Sequence, residues 1–392
     1  MIDDEVMADK GFYIKVVDDE KGKGLFANRA YKEGDVILEE RPVVCCQFLW
    51  NSEFGYLACN HCMRPLETAE ENVRRLTGDQ RFVVPHKECC EVNKSLITAC
   101  PMCGVKYCSV ECQNEAFQRY HSTLCLQDRV KDESHPLNQL CETWKQMHYP
   151  PENASIMLLA RMVAVVNQAN DREEALAMFS QFCHRTVSNN THEIVHHLLG
   201  EKFAGQIDVL QQMMKDAFNT EYTAHWFTPD GFRSLLALVG TNGQGIGTSS
   251  FSRWVKNVSA LELPKDERIY VDKLIEKIYD AMDEAVGPFL NNEGSGLYVL
   301  QSSVNHSCVP NAIVEFPYSN NTLVLKAVRD IKVGEEICTS YLDECQLERS
   351  RHSRQQALSS LYLFICHCDK CRAQANDPDV TSESEEESDE DL

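Results

Sequence analysis

Nowhere does this 392-residue chain approach the run of ~20 apolar residues that a membrane-crossing helix requires. Its opening, Met1-Ile2-Asp3-Asp4-Glu5, has neither the basic start nor the apolar core of a secretory leader. These absences predict a protein that is neither secreted nor membrane-bound and works in the cytoplasm or nucleus. Positive charge is also scarce: 38 Lys and Arg face 60 Asp and Glu, a formal charge of -22. Nucleic-acid affinity rests largely on cations neutralising phosphates, so a broad surface for direct nucleic-acid binding is excluded and basic protein partners are favoured. The bias is not confined to residues 379–392, which hold eight acidic side chains and no basic one. Residues 377–392 are too acidic and too poor in apolar residues to pack, and the sequence predicts disorder there.

Cysteine, by contrast, is abundant: there are 19, and without a leader they point to metal binding in a reducing compartment rather than to disulfides. Asn305-His306-Ser307-Cys308-Val309-Pro310-Asn311 is followed by Cys366-x-Cys368-x2-Cys371. Three thiolates are one fewer than a closed tetrahedral zinc site needs, and Cys308 is the candidate fourth. Such a clasp would fasten the C-terminal segment onto an active-site strand end.

A second constellation comprises Cys59-x2-Cys62, Cys100-x2-Cys103, Cys108-x3-Cys112 and His121-x3-Cys125. These eight ligands are the number two tetrahedral sites require. A spacer of 37 residues, 63–99, separates the first two pairs and carries a helical pattern over 67–76 and the pair Cys89-Cys90. Cys89 and Cys90 could compete as ligands, which makes Cys59 and Cys62 the least secure of the set. The spacer reads as an excursion stabilised by local packing, with an added recognition surface as the alternative.

The Asn-His-Ser-Cys-x-Pro-Asn segment, Gly334-Glu335-Glu336-Ile337-Cys338-Thr339-Ser340-Tyr341 and the terminal cysteines, in this order, resemble SET-domain lysine methyltransferases. The second cysteine constellation, with Tyr107-Cys108-Ser109 and its closing His-x3-Cys, resembles a MYND zinc finger. Together they are similar to the SET- and MYND-domain family, over roughly residues 10–371. A stretched finger, no helical C-terminal repeat domain and an acidic tail match its divergent fifth branch. The resemblance implies an α+β fold: an N-terminal SET half (10–58), the finger (59–125), a helical insert (126–235), the C-terminal SET core (236–345), a post-SET zinc segment (346–375) and the tail (376–392). It also implies interleaved ligands, with Cys59, Cys62, Cys108 and Cys112 on one zinc, Cys100, Cys103, His121 and Cys125 on another, and Cys308, Cys366, Cys368 and Cys371 on a third.

Along the chain, alternation over 12–17 and a turn-strand pattern over 32–38 flank Lys21-Gly22-Lys23-Gly24, whose glycines allow close backbone approach to a ligand. The spacing predicts helices over 154–168, 172–184, 193–199, 207–218 and 265–290, and strands over 296–303 and 322–328. His192, His196 and His197 lack convergent partners and read as a solvated helix face. Gly240 to Gly247 has neither the βαβ context nor the Gly-Lys-Ser/Thr of a phosphate loop. By family position it is the loop that opens the C-terminal SET half.

The resemblance assigns S-adenosylmethionine to Lys21, Lys23, Asn242, Ser302, Val304, Asn305, His306, Tyr341 and Phe364, with Tyr341 as the catalytic hydroxyl and Tyr362 as the second channel tyrosine. Gln244 stands where family members usually place a channel aromatic, and the roomier channel favours trimethylation. The implied activity is protein-lysine N-methylation of a basic protein, a histone or ribosomal protein, by a monomer. The finger would hold a proline-rich peptide. The alternative is a catalytically weak adaptor that binds partners through the finger, and the intact motifs speak for the enzyme.

Overall fold

The computed structural model describes residues 10–18, 21–147, 155–182, 204–218, 220–287, 289–362 and 364–378. The predicted 193–199 helix, His192, His196, His197 and residues 379–392 lie outside them. In chain order the strands are β1 (Phe12–Asp18), β2 (Gly22–Ala27), β3 (Val36–Glu40), β4 (Val44–Gln47), β5 (Thr98–Ala99), β6 (Lys106–Tyr107), β7 (Gly243–Thr248), β8 (Asn292–Leu297), β9 (Asn305–His306), β10 (Ala312–Glu315), β11 (Leu323–Ala327) and β12 (Glu336–Thr339). They form small sheets ordered β1-β2-β12-β9, β10-β11-β3 and β4-β8-β7, with β5-β6 as a separate ribbon. Helices and strands segregate as the α+β expectation requires. Among the described residues no helix is long and apolar enough to cross a membrane.

Two glycine-bearing segments that lie outside the predicted strands are strands. Gly22–Ala27 pairs antiparallel with β1, and Gly243–Thr248 pairs along its whole length with β8. The helix Pro229–Asn242 runs directly into β7, crossing the 235/236 boundary drawn from the sequence. Glycine masked the strand signal because it weakens strand propensity, yet close packing demands it at Gly24 and Gly243, where a Cβ would stand 2.8 Å from the Val17 side chain and 2.5 Å from the Val239 carbonyl oxygen. A Cβ on Gly294 of the central strand β8 would stand 2.1 Å from the Cys46 carbonyl oxygen. The strand read over 296–303 accordingly starts earlier and ends at Leu297, followed by a 3-10 turn at Gln301–Ser303.

Three apolar cores organise the molecule around the site. The SET sheets bury Leu25, Ile37, Leu38, Leu325 and Ile337 with Tyr298 and Val304. A helical core built on Ile156–Gln168 and Pro229–Asn242 packs against the finger through Tyr107, Ala116 and Tyr120. The third core holds the spacer. Its helix Ala69–Thr77, started by a Thr68–Glu71 capping box and closed by Gly78 at φ +69, buries Val73 and Leu76 against Phe251, Trp254 and Ile278. Those partners lie on the helices Ser250–Ser259 and Lys265–Val286. Cys89 and Cys90 are buried in this same core, away from both finger metal clusters.

Candidate active site and metal centres

Strand pairing builds the site. β9 lies parallel to β12, with Asn305 opposite Cys338 and His306 opposite Thr339, and β12 in turn pairs with β2. Asn311, 2% exposed, stitches the junction: its amide donates to the Glu336 carbonyl (2.8 Å) and its oxygen accepts from the Cys338 N–H (2.8 Å). Tyr341 therefore emerges beside His306. The backbone N–H of Tyr341 donates to His306 Nδ1 at 3.0 Å, so the imidazole proton sits on Nε2, which faces Cys308 Sγ at 3.3 Å. Burial lowers the His306 pKa to about 4, which keeps the ring neutral in this role.

Four aromatic rings gather at this point. Tyr341 lies 5.0 Å from Tyr362 and 5.4 Å from His306 between centroids, and Phe364 stands perpendicular to Tyr341 at 6.2 Å. The Tyr341 hydroxyl donates to the Val304 carbonyl at 2.9 Å, and the Tyr362 hydroxyl donates to the Tyr341 carbonyl at 3.1 Å. Burial raises the Tyr362 pKa and drives the Cys338 thiol up to about 12. Cys338 is therefore a protonated packing residue, not a nucleophile.

The remaining sequence-predicted residues divide. Asn305 donates its amide to Glu336 (2.8 Å) and to the Lys23 carbonyl (3.0 Å), linking β9, β12 and β2. The Lys21 ammonium pairs with Glu336 at 3.2 Å, and that of Lys23 meets the Gln181 carbonyl at 3.2 Å. Ser302 returns its hydroxyl to the Val299 carbonyl at 2.9 Å. Asn242 is buried at the helix end and donates back to the Leu238 carbonyl at 2.9 Å. Glu40, which drew no attention in the sequence, accepts the N–H groups of Leu300 (2.9 Å) and Gln301 (3.0 Å) and fixes the turn leading to Val304. Burial raises its pKa.

The cysteine clusters fit zinc. Each of the three groups brings four donor atoms within 4.8 Å of one another, in the interleaved arrangement. A tetrahedron with a Zn–S bond of about 2.3 Å has S···S edges of about 3.8 Å. The Sγ separations are 3.6 Å for Cys62–Cys108, 3.8 Å for Cys100–Cys125 and 3.6 Å for Cys308–Cys371. The finger helix Val110–Ala116 widens into a π-turn at Phe117–His121, which brings His121 Nε2 to 3.5 Å from Cys103 Sγ. Burial lowers the His121 pKa, leaving the neutral ring a metal ligand needs. Arg354, 1% exposed, lies 3.8 Å from Cys371 Sγ, and Gln355 bonds both the N–H and the carbonyl of Cys366. Neither residue carries a motif signal. Arg354 offsets part of the negative charge of a four-thiolate site.

A SET-domain model matches residues 22–342. The chain belongs to the SET-domain family. Within it, the chain is similar to "Protein-lysine N-trimethyltransferase SMYD5" of Gallus gallus, 55% identical over 94% of this chain and 87% of that protein. The Homo sapiens protein of the same name is 55% identical over 94% of this chain and 88% of its own length. "Histone-lysine N-methyltransferase SMYD3" of Homo sapiens is 43% identical over 24% of this chain and 21% of that protein. These likenesses place the chain in the SET- and MYND-domain branch of the family. Membership implies use of S-adenosylmethionine, and the residues gathered here, a carbonyl, a hydroxyl and aromatic rings, all electron-rich, suit a cofactor that carries a sulfonium.

Proposed function

We propose that the chain is a protein-lysine N-methyltransferase that takes lysines of basic proteins, of the histone or ribosomal class, to the trimethyl state. One observation carries the reading: the Tyr341 hydroxyl, tied to the Val304 carbonyl at 2.9 Å, is fixed inside the aromatic group at the strand junction. When bound, S-adenosylmethionine supplies a methyl group made electrophilic by its sulfonium. Val304, Asn305 and His306 would hold it largely through their backbone, with Phe364 against its adenine. Tyr341 and Tyr362 would orient the lysine amine for in-line attack, and positioning supplies much of the acceleration. A free lysine amine has a pKa near ~10.4, and apolar aromatic walls lower it, so the neutral nucleophile forms without a strong carboxylate base. Relatives named trimethyltransferases support the trimethyl product. So does Gln244, whose amide oxygen accepts from Gln301 at 3.0 Å in place of a rigid ring. Three zinc ions with every position filled by protein would be structural, and a negatively charged exterior would draw basic substrates.

The test is incubation of the protein with methyl-labelled S-adenosylmethionine and, separately, histones, ribosomal proteins and a cell extract, followed by mass spectrometry. Label on a discrete lysine, reaching three methyl groups, is the expected result. Cofactor binding without transfer to any protein would overturn the reading, and a product that stops at one methyl would overturn its trimethyl part.

A further inference from the structure

A cavity of about 530 Å³ lies away from the aromatic site, between the finger, the stretch leading into β4 and residues 91–97 of the spacer. None of the residues assigned above to catalysis or to the methyl donor lines it. Arg41, Arg64, Arg119, Arg161 and Arg253 do, against the carboxylates Glu91 and Glu115. In a chain of charge -22 this is a local reversal of sign.

Two of the arginines are structural. Arg161, 5% exposed, donates to the Cys45 carbonyl (2.5 Å) and to Asn60 (2.8 Å) and stacks on Tyr120. Arg119 donates to the Val43 carbonyl at 2.6 Å and pairs with Glu115. Among the described residues, the guanidinium groups of Arg41, Arg64 and Arg253 have no hydrogen-bond or ion-pair partner. The first metal cluster borders the cavity through Cys62, Cys108 and Cys112. A four-thiolate zinc carries two negative charges, and with both carboxylates counted the wall still keeps a net positive charge.

The shape of the space narrows the choice of ligand. A second cavity of about 460 Å³ shares Glu91, Val92 and Asn93 with the first and continues to Trp254. Together they make an elongated path, bordered by Leu96, 55% exposed, and by Pro42 and Pro65. A compact anion would leave most of that path empty. A continuous polyanion such as nucleic acid would meet Glu91 where the two cavities join and then Glu70 and Glu88, with Lys87 as the one cation there among the described residues. From this geometry we infer that the path between finger and spacer binds a short acidic peptide segment of a partner protein. Its carboxylates meet Arg41, Arg64 and Arg253, where fork geometry favours bidentate pairing, and its uncharged or basic remainder runs past Leu96 toward Trp254. The finger side would then capture acidic segments while the catalytic side takes basic ones.

The experiment is fluorescence anisotropy of the zinc-loaded full chain with a labelled Gly-Asp-Glu-Leu-Glu-Leu-Lys peptide, beside its Asn/Gln counterpart and a single-stranded oligonucleotide. The acidic peptide is expected to bind, to weaken with added salt, and to lose at least tenfold in affinity in the triple variant Arg41→Ala, Arg64→Ala, Arg253→Ala. Zinc content and melting temperature show whether that variant is folded; if it is not, Leu96→Glu on the exposed wall is expected to weaken binding in its place. The proposal is overturned by no binding, by equal binding of the Asn/Gln peptide, by undiminished affinity in the folded variant, or by tighter binding of the oligonucleotide.

Discussion

The two Cys-x2-Cys knuckles of the finger make the same turn and end differently. In each, the N–H of the residue after the pair donates to the first cysteine's carbonyl at 2.9 Å, Met63 to Cys59 and Gly104 to Cys100. Both residues are left-handed, with φ +63 at Met63 and +76 at Gly104. Glycine takes that conformation freely and faces open space, whereas a methionine there costs about 1–2 kcal/mol. Met63 offsets the cost by burial: it is fully enclosed in the SET core, and a Cβ on Gly294 would stand 2.6 Å from its methyl carbon. Its carbonyl accepts from the Thr248 hydroxyl at 2.9 Å, and the Cys62 carbonyl accepts from the Asn321 N–H at 2.8 Å. The first knuckle is therefore tied to the SET core through Met63, while the second, with Cys100 packed in the helical core, has no such tie.

The largest expected separation between them comes from the metals. Cys59→Ala should remove one zinc and carry methyl transfer and global stability down with it, because the knuckle that loses its ion anchors Met63. Cys100→Ala should also remove one zinc yet leave most of the transfer activity. Metal analysis and activity measured on both variants check this, and equal losses of activity would erase the distinction. A smaller effect is expected from Met63→Gly. Losing the side chain costs about 2–4 kcal/mol and relief of the left-handed backbone returns about 1 kcal/mol, so denaturant unfolding should show a net loss with all three zincs retained. The smallest is Gly104→Ala, about 1 kcal/mol from backbone strain alone in the same measurement, with no change in transfer.

The spacer sharpens the same contrast from the other side. Val73→Ala should weaken its helix against Phe251 and Ile278 by about 1–3 kcal/mol, read as a lowered melting temperature with zinc content unchanged.

Much of the site was legible because its signals are local. Spacing within Cys-x2-Cys and Cys-x-Cys-x2-Cys fixes how thiolates converge, and Tyr341 follows Gly334-Glu335-Glu336 two residues past the end of β12. What was hidden depends on partners far along the chain. No local pattern announces that Met63 fills a space held open by Gly294, that Glu40 fixes the turn at Leu300, or that Arg354 stands beside Cys371. The spacer was ambiguous for the same reason: its helix is amphipathic in sequence, but the face it buries is supplied by residues 251–278. Gly22–Ala27 and Gly243–Thr248 misled because glycine reads as a loop until the neighbouring backbone is in view.

The most direct test of the central claim is Tyr341→Phe, assayed for methyl transfer and, by calorimetry, for S-adenosylmethionine binding. The structure predicts a fall in transfer of roughly 100-fold or more, in the range typical of a lost positioned hydroxyl, with cofactor affinity and three bound zincs preserved. Transfer at the wild-type rate would contradict the assignment of Tyr341 and with it the mechanism built on the aromatic site.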